Sequence, residues 1–150
     1  MTLDKKAALN SIRQLLDAQS LGVLATQGTH YPYSTLVGFA AAEDLKTLFF
    51  ATIRDTRKFQ NIQRHPEVSM LIDSRSNQVE DFKDAQALTA LGLASAEKGP
   101  SKQGNESLYL NKHPYLREFL QDPNCAFMRL DVTRYIMVSR FQEVIEIDLL

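Results

Sequence analysis

The sequence holds one cysteine, Cys125, and no tryptophan in 150 residues. A single thiol closes no internal disulfide, which suits a reducing compartment. No stretch approaches the ~20 consecutive apolar residues that a membrane-spanning helix needs. Residues 1–7 also lack the apolar run of a signal peptide. These absences predict a cytoplasmic protein. An excess of one charge is missing too: 17 Lys and Arg stand against 18 Asp and Glu, for a net −1. A protein that grips a long phosphate backbone needs a cationic surface, so nucleic acid is not the expected partner. Glycine and proline are few, at six and five, and the composition is neither disordered, collagenous nor coiled-coil. One domain over residues 1–150 is expected, long enough to bury a real core.

What is present is a sequence of periodic segments. Residues 3–18 predict a helix with Ala8, Ile12, Leu15 and Leu16 on one face and Thr2 as its cap. Residues 21–26, 31–40 and 45–52 read as strands with short connections, hence an antiparallel meander. Residues 55–64 switch to helical spacing and stop before Pro66. A strand over 67–73 is followed by a polar loop over 74–85. A strand over 87–96 contains Gly92, a candidate bulge. Residues 98–104 read as a loop, and 107–120 as a helix interrupted at Pro114. A turn at 122–124 precedes two strands, 125–138 and 143–150. Six or seven mostly antiparallel strands with three helices predict a mainly β (α+β) fold, a closed or half-closed barrel with flanking helices.

Chemistry concentrates between Phe49 and Phe59. A strand ends there and a helix opens with Thr56, Arg57 and Lys58, with Thr52 and Arg54 just before them. A helix N-terminus offers free N–H groups and partial positive charge, so it attracts anions. Cations placed there oppose the dipole unless an anion sits between them. Arg57 can grip a phosphate bidentately and Lys58 adds a point charge. The plainer reading is an exposed helix start capped by Asp55, and residue types leave both open. Elsewhere the signals are weak. His30, His65 and His113 are isolated, and no Cys/His spacing suits zinc. Neither a Gly-x-Ser-x-Gly elbow nor a phosphate loop occurs. Cys125 reads as a packed thiol. Tyr109 and Tyr115 read as helix packing ahead of a ligand edge. No side chain offers itself as a catalytic acid or base.

The run Ala51-Thr52, Thr56-Arg57-Lys58, His65-Pro66-Glu67-Val68-Ser69 resembles the flavin-binding split-barrel family of pyridoxamine 5'-phosphate oxidase. The resemblance implies a split β-barrel homodimer with FMN at the subunit interface and a small-molecule redox substrate. It implies Thr52, Thr56, Arg57 and Lys58 around the phosphate, and a strand containing Tyr33, Ser34 and Thr35 along the flavin. Val37 and Ala51 stand where the family oxidase has a lysine and an aromatic, and the oxidase's Arg-x-His is missing. True pyridoxamine phosphate oxidation is therefore not expected. Ser74-Arg75-Ser76-Asn77, the Leu88–Ala94 run and Arg134-Tyr135 before Phe141 resemble the branch containing haem-utilisation proteins. That branch adds Asn77 to the candidate contacts, and Arg140 from the second subunit. Two alternatives follow: a haem-handling module on the same barrel, or a non-catalytic dimer with a degenerate flavin site.

Overall fold

The computed structural model describes residues 3–139 and 143–150. Helix α1 spans Leu3–Ala18. Strands β1 (Leu21–Gln27), β2 (Pro32–Ala41) and β3 (Thr47–Ile53) follow as a meander. Helix α2 (Arg57–Arg64) leads to β4 (Glu67–Asp73), a one-turn α3 (Asp81–Asp84) and β5 (Ala87–Ala96). Then come α4 (Lys102–Lys112), a 3-10 turn at Pro114–Leu116, α5 (Arg117–Gln121), β6 (Cys125–Ser139) and β7 (Glu143–Asp148).

The strands run β3-β2-β1-β4-β5-β6, and β3 also pairs with β6, so six antiparallel strands close a barrel with β7 appended. The long β6 changes partner along its length. Cys125–Asp131 pair with β3, whereas Arg134–Ser139 pair with β7. Along its second half the strand stays paired with β5 on one edge and exchanges β3 for β7 on the other, so the barrel is open beyond Asp131. At Gly92 the β5–β6 register shifts. A Cβ there would sit 2.0 Å from the Asp131 carbonyl oxygen, so the bulge needs a residue with no side chain.

Alternation sets what lies inside. In β1 the buried positions are Gly22, Leu24 and Thr26, with Leu21, Val23 and Ala25 facing outward. Leu24, Phe39, Leu48, Phe50, Met70, Ile72, Leu88 and Met128 meet in one core with Ile12, Leu15 and Leu16 of α1. Each large side chain buried there is worth about 1.5–3 kcal/mol. The helix α1 covers one end of the barrel, and α2 covers the other through Phe59 and Ile62.

A smaller cluster lies outside the barrel. The Phe49 and Phe127 rings stack at 5.5 Å, and Tyr109 meets Phe127 edge-on at 5.5 Å. This explains why β3 is buried on both faces. Polar bonds fix the same contact: Tyr109 donates to the Gly38 carbonyl at 3.0 Å and His113 Nε2 to the Phe39 carbonyl at 2.8 Å. Burial pushes the Tyr109 phenol well above its usual range.

Several boundaries differ from the sequence reading. The helix expected from 107 begins at Lys102, inside the expected loop, and breaks at His113, before Pro114. The polar loop over 74–85 contains the single turn α3. The third strand starts at Thr47, because Leu45 occupies positive φ of 65° in the preceding turn. Thr2, the expected cap of α1, lies outside the described residues.

Candidate functional site

The β3–α2 connection is built by hydroxyls. Thr56 is the N-cap of α2, in extended backbone, and its Oγ1 accepts from the Phe59 N–H. Asp55, the alternative cap, is exposed. The Thr56 hydroxyl donates to the Ile53 carbonyl at 2.8 Å and lies 3.2 Å from Thr52 Oγ1. Thr52 is 1% exposed. Both hydroxyls therefore hold the turn, and Thr52 acts behind the surface rather than on it. Arg54 is also committed: it donates to the carbonyls of Pro123 and Cys125, each at 2.9 Å. The cationic cluster of the sequence reading thus reduces to Arg57 and Lys58.

Those two are poised for an anion. Neither is ion-paired with a described residue. As first and second residues of α2 they have no carbonyl one turn back for their backbone N–H groups. Lys58 is half-buried, and that burial lowers its ammonium pKa from the ordinary range. A cation desolvated without a counter-charge is stabilised by any anion that arrives. The Arg57 guanidinium rests 5.3 Å from the centre of the Tyr33 ring. The donor set fits a phosphate monoester.

Strand β2 alternates beside this point. Ser34 and Leu36 face outward, whereas Tyr33 and Thr35 share the inward face with Val37 and Phe39. Thr35 Oγ1 is buried without a hydrogen-bond partner, at a cost of about 1–3 kcal/mol. Outward of β1, β4 and β5 lies a groove of about 410 Å³ lined by Ala25, Pro32, Val68, Leu91 and Leu93 among others.

Asn77 stands apart. Strand β4 begins three residues after α2 and runs away from it, and Asn77 lies four residues past its far end. Seven strand residues span roughly 20 Å. Asn77 adopts positive φ of 63°, and its N–H and that of Ser76 donate to the Asp81 carboxylate at 2.7 and 2.8 Å. The Ser76 N–H and hydroxyl, and after them the Asn77 N–H, hold the Asp81 carboxyl below its usual range. Within the chain, Tyr33, Thr52, Thr56, Arg57 and Lys58 come together, and Asn77 does not join them. Arg140 lies outside the described residues.

The sequence reading missed the face of α2 that meets the β1–β2 turn. Arg57, Gln60, Asn61 and Arg64 line a second pocket with the β1–β2 turn. Their spacing of three, four and seven residues was the available signal. It also missed that His113 is buried and bonded, which leaves His30 and His65 as the exposed imidazoles.

No curated protein matches the chain. Solved structures do, at identities that speak for the fold alone. A haem-binding protein from Mycobacterium smegmatis superposes with TM-score 0.80 at 16% identity, over 90% of this chain and 55% of its own; this chain thus spans about half of that protein. An FAD-binding protein from Mesorhizobium loti gives 0.68 at 14% identity, over 86% and 90% of the two chains. General stress protein 26 from Bacillus anthracis gives 0.65 at 22% identity, over 92% and 97%. The sequence model of the pyridoxamine 5'-phosphate oxidase family matches residues 9–139, from within α1 to the end of β6, and the chain belongs to that family.

Proposed function

We propose that this protein binds FMN between two copies of the chain and acts as a flavin-dependent oxidoreductase on a small molecule. The observation that carries this reading is the unpaired Arg57–Lys58 pair at the capped start of α2. That arrangement offers two side-chain cations and two backbone donors to one phosphate. Bound flavin would supply the redox chemistry. The residues of this chain bind and orient it. Arg57 and Lys58 hold the phosphate, Thr56 and Thr52 fix the turn that presents them, and the β2 edge around Ser34 lies alongside.

Two features support a homodimer. Asn77 and the α2 start sit at opposite ends of one barrel, so the contact that the family resemblance gives Asn77 would have to be made to the site of a second copy. On the outward face Leu21 and Leu36 are exposed on neighbouring strands, with Val23 paired to Leu36 between them, and contiguous apolar surface of this kind marks interaction sites. The free, buried thiol of Cys125 suits a reducing, cytoplasmic setting.

The test is the absorption of freshly purified protein and its titration with FMN, followed by fluorescence quenching. Wild type is expected to be yellow or to take up FMN. Arg57→Ala with Lys58→Ala should weaken uptake at least about a hundredfold, since each charge-assisted contact contributes ~1.5–3 kcal/mol. Colourless protein that takes up no FMN overturns the reading. A Soret band on adding hemin, with no flavin uptake, would mean haem handling instead, through His30 or His65 as axial ligand.

A further inference from the structure

A pocket of about 370 Å³ opens between α2 and the β1–β2 turn. Arg57 and Arg64 stand on its helical side, and His30, Tyr31 and Tyr33 on the other. Its lining contains two guanidiniums and no carboxylate. Neither arginine is ion-paired with a described residue. Seven residues of helix separate them by about 10 Å along the axis. One phosphate at the start of α2 engages Arg57 and leaves Arg64 unanswered.

The remaining wall is planar. Tyr31 is 81% exposed on a hairpin turn, with His30 beside it. Phenol, imidazole and guanidinium planes all stack on a heteroaromatic base. The backbone on both sides is fixed in advance. The Gly28 N–H donates to the Tyr31 carbonyl at 3.0 Å, and a Cβ on Gly28 would lie 2.6 Å from that oxygen. On the helical side, the buried Asn61 amide donates to Thr26 Oγ1 at 3.0 Å and ties the middle of α2 to β1. A backbone frame set before the ligand arrives lowers the ordering cost of binding.

We propose that this pocket takes an adenylate group, with the adenine against Tyr31 and His30 and the phosphate at Arg64, the guanidinium that a flavin phosphate on Arg57 leaves free. The inference rests on the flavin reading only for what lies beyond the Arg57 end. An adenylate reaches the pocket from two sources. It is the second half of a flavin adenine dinucleotide, or it belongs to a separate adenine dinucleotide that brings electrons.

Three titrations distinguish these cases in wild type, Arg64→Ala and Tyr31→Ala. AMP is titrated calorimetrically into flavin-free protein, FMN and FAD are followed by fluorescence quenching, and NADH is titrated into FMN-loaded protein. AMP should bind, and each substitution should weaken it about tenfold, the scale of one lost stacking or charge-assisted contact, while FMN affinity stays within twofold. FAD binding tighter than FMN, with the gain lost in both variants, identifies the flavin-linked source. FAD no tighter than FMN, with NADH binding lost in both variants, identifies the separate donor. AMP affinity unchanged in both variants overturns the inference, as does a parallel loss of FMN affinity on Arg64→Ala. Protein that takes up no FMN but binds AMP through Arg64 and Tyr31 overturns the flavin reading and leaves the adenylate pocket standing.

Discussion

Lys112 shows how a residue's surroundings rewrite its chemistry. In sequence it is one more basic residue near a helix end. In the fold its ammonium donates to the Leu16 carbonyl at 2.8 Å and lies 4.0 Å from the centre of the Phe39 ring. It therefore joins α4 to the C-terminal end of α1. Burial pushes its pKa down to about 8, against roughly 10.4 in an unfolded chain. Between those two values the unfolded chain binds the extra proton, so the Lys112 contribution makes stability rise with pH across that window. Lys112→Met should remove this part of the slope. Urea midpoints at pH 7.5, 8.5 and 9.5 should rise more in wild type than in the variant, and parallel profiles would contradict the assignment. Lys58 departs in the same direction and for the same cause. If it binds phosphate as the ammonium, FMN affinity should fall as alkaline pH deprotonates it.

At the scale of elements, β5 and β6 form the ladder that a single glycine makes possible. They form the longest pairing, and its register shift falls at Gly92. Gly92 was legible as a bulge because glycine weakens a strand interior and is kept there where the backbone bends or is closely approached. The contact with Asp131 that makes it necessary lies 39 residues away and was not. Gly92→Ala is expected to cost more than about 2 kcal/mol, since a backbone carbonyl must move to admit the methyl group. Chemical denaturation checks this, and a loss within ±0.5 kcal/mol, the surface norm, would show that the strands slide freely. Helix α2 was legible for similar reasons. Its hydroxyl opening, its apolar pair Phe59 and Ile62, and the stop at Pro66 all act within a few residues. The start of α4 was hidden, because Lys102, Gln103 and Gly104 carry no apolar signal and Gly104 argues against a helix.

At the scale of the whole molecule, the separation of Asn77 from Arg57 decides what one chain can do. If the two belong to one site, the chain must pair. Light scattering should report twice the 17.0 kDa of the chain. Leu36→Asp, which puts a charge on a residue 67% exposed in the single chain, should shift the mass to the monomer and lower FMN uptake with it. A monomeric wild type, or a monomeric variant that still binds FMN fully, would remove the second subunit from the site.

By itself the sequence determined the order of helices and strands, the antiparallel architecture, the capped start of α2 and the cations on it. Each depends on local periodicity or on neighbours within one turn of chain, and such signals survive in a linear reading. Tertiary structure alone decided three things. It withdrew Arg54 into bonds with Pro123 and Cys125. It buried His113 against Phe39, 74 residues away. It placed Asn77 and Arg57 at opposite barrel ends, while bringing Arg64 to face the β1–β2 turn. Those outcomes depend on which strands become neighbours and which way each one runs, and barrel closure between β3 and β6 fixes that for all of them at once. The net charge near zero was compatible with every one of these arrangements; only the fold showed which cations remain free to meet an anion.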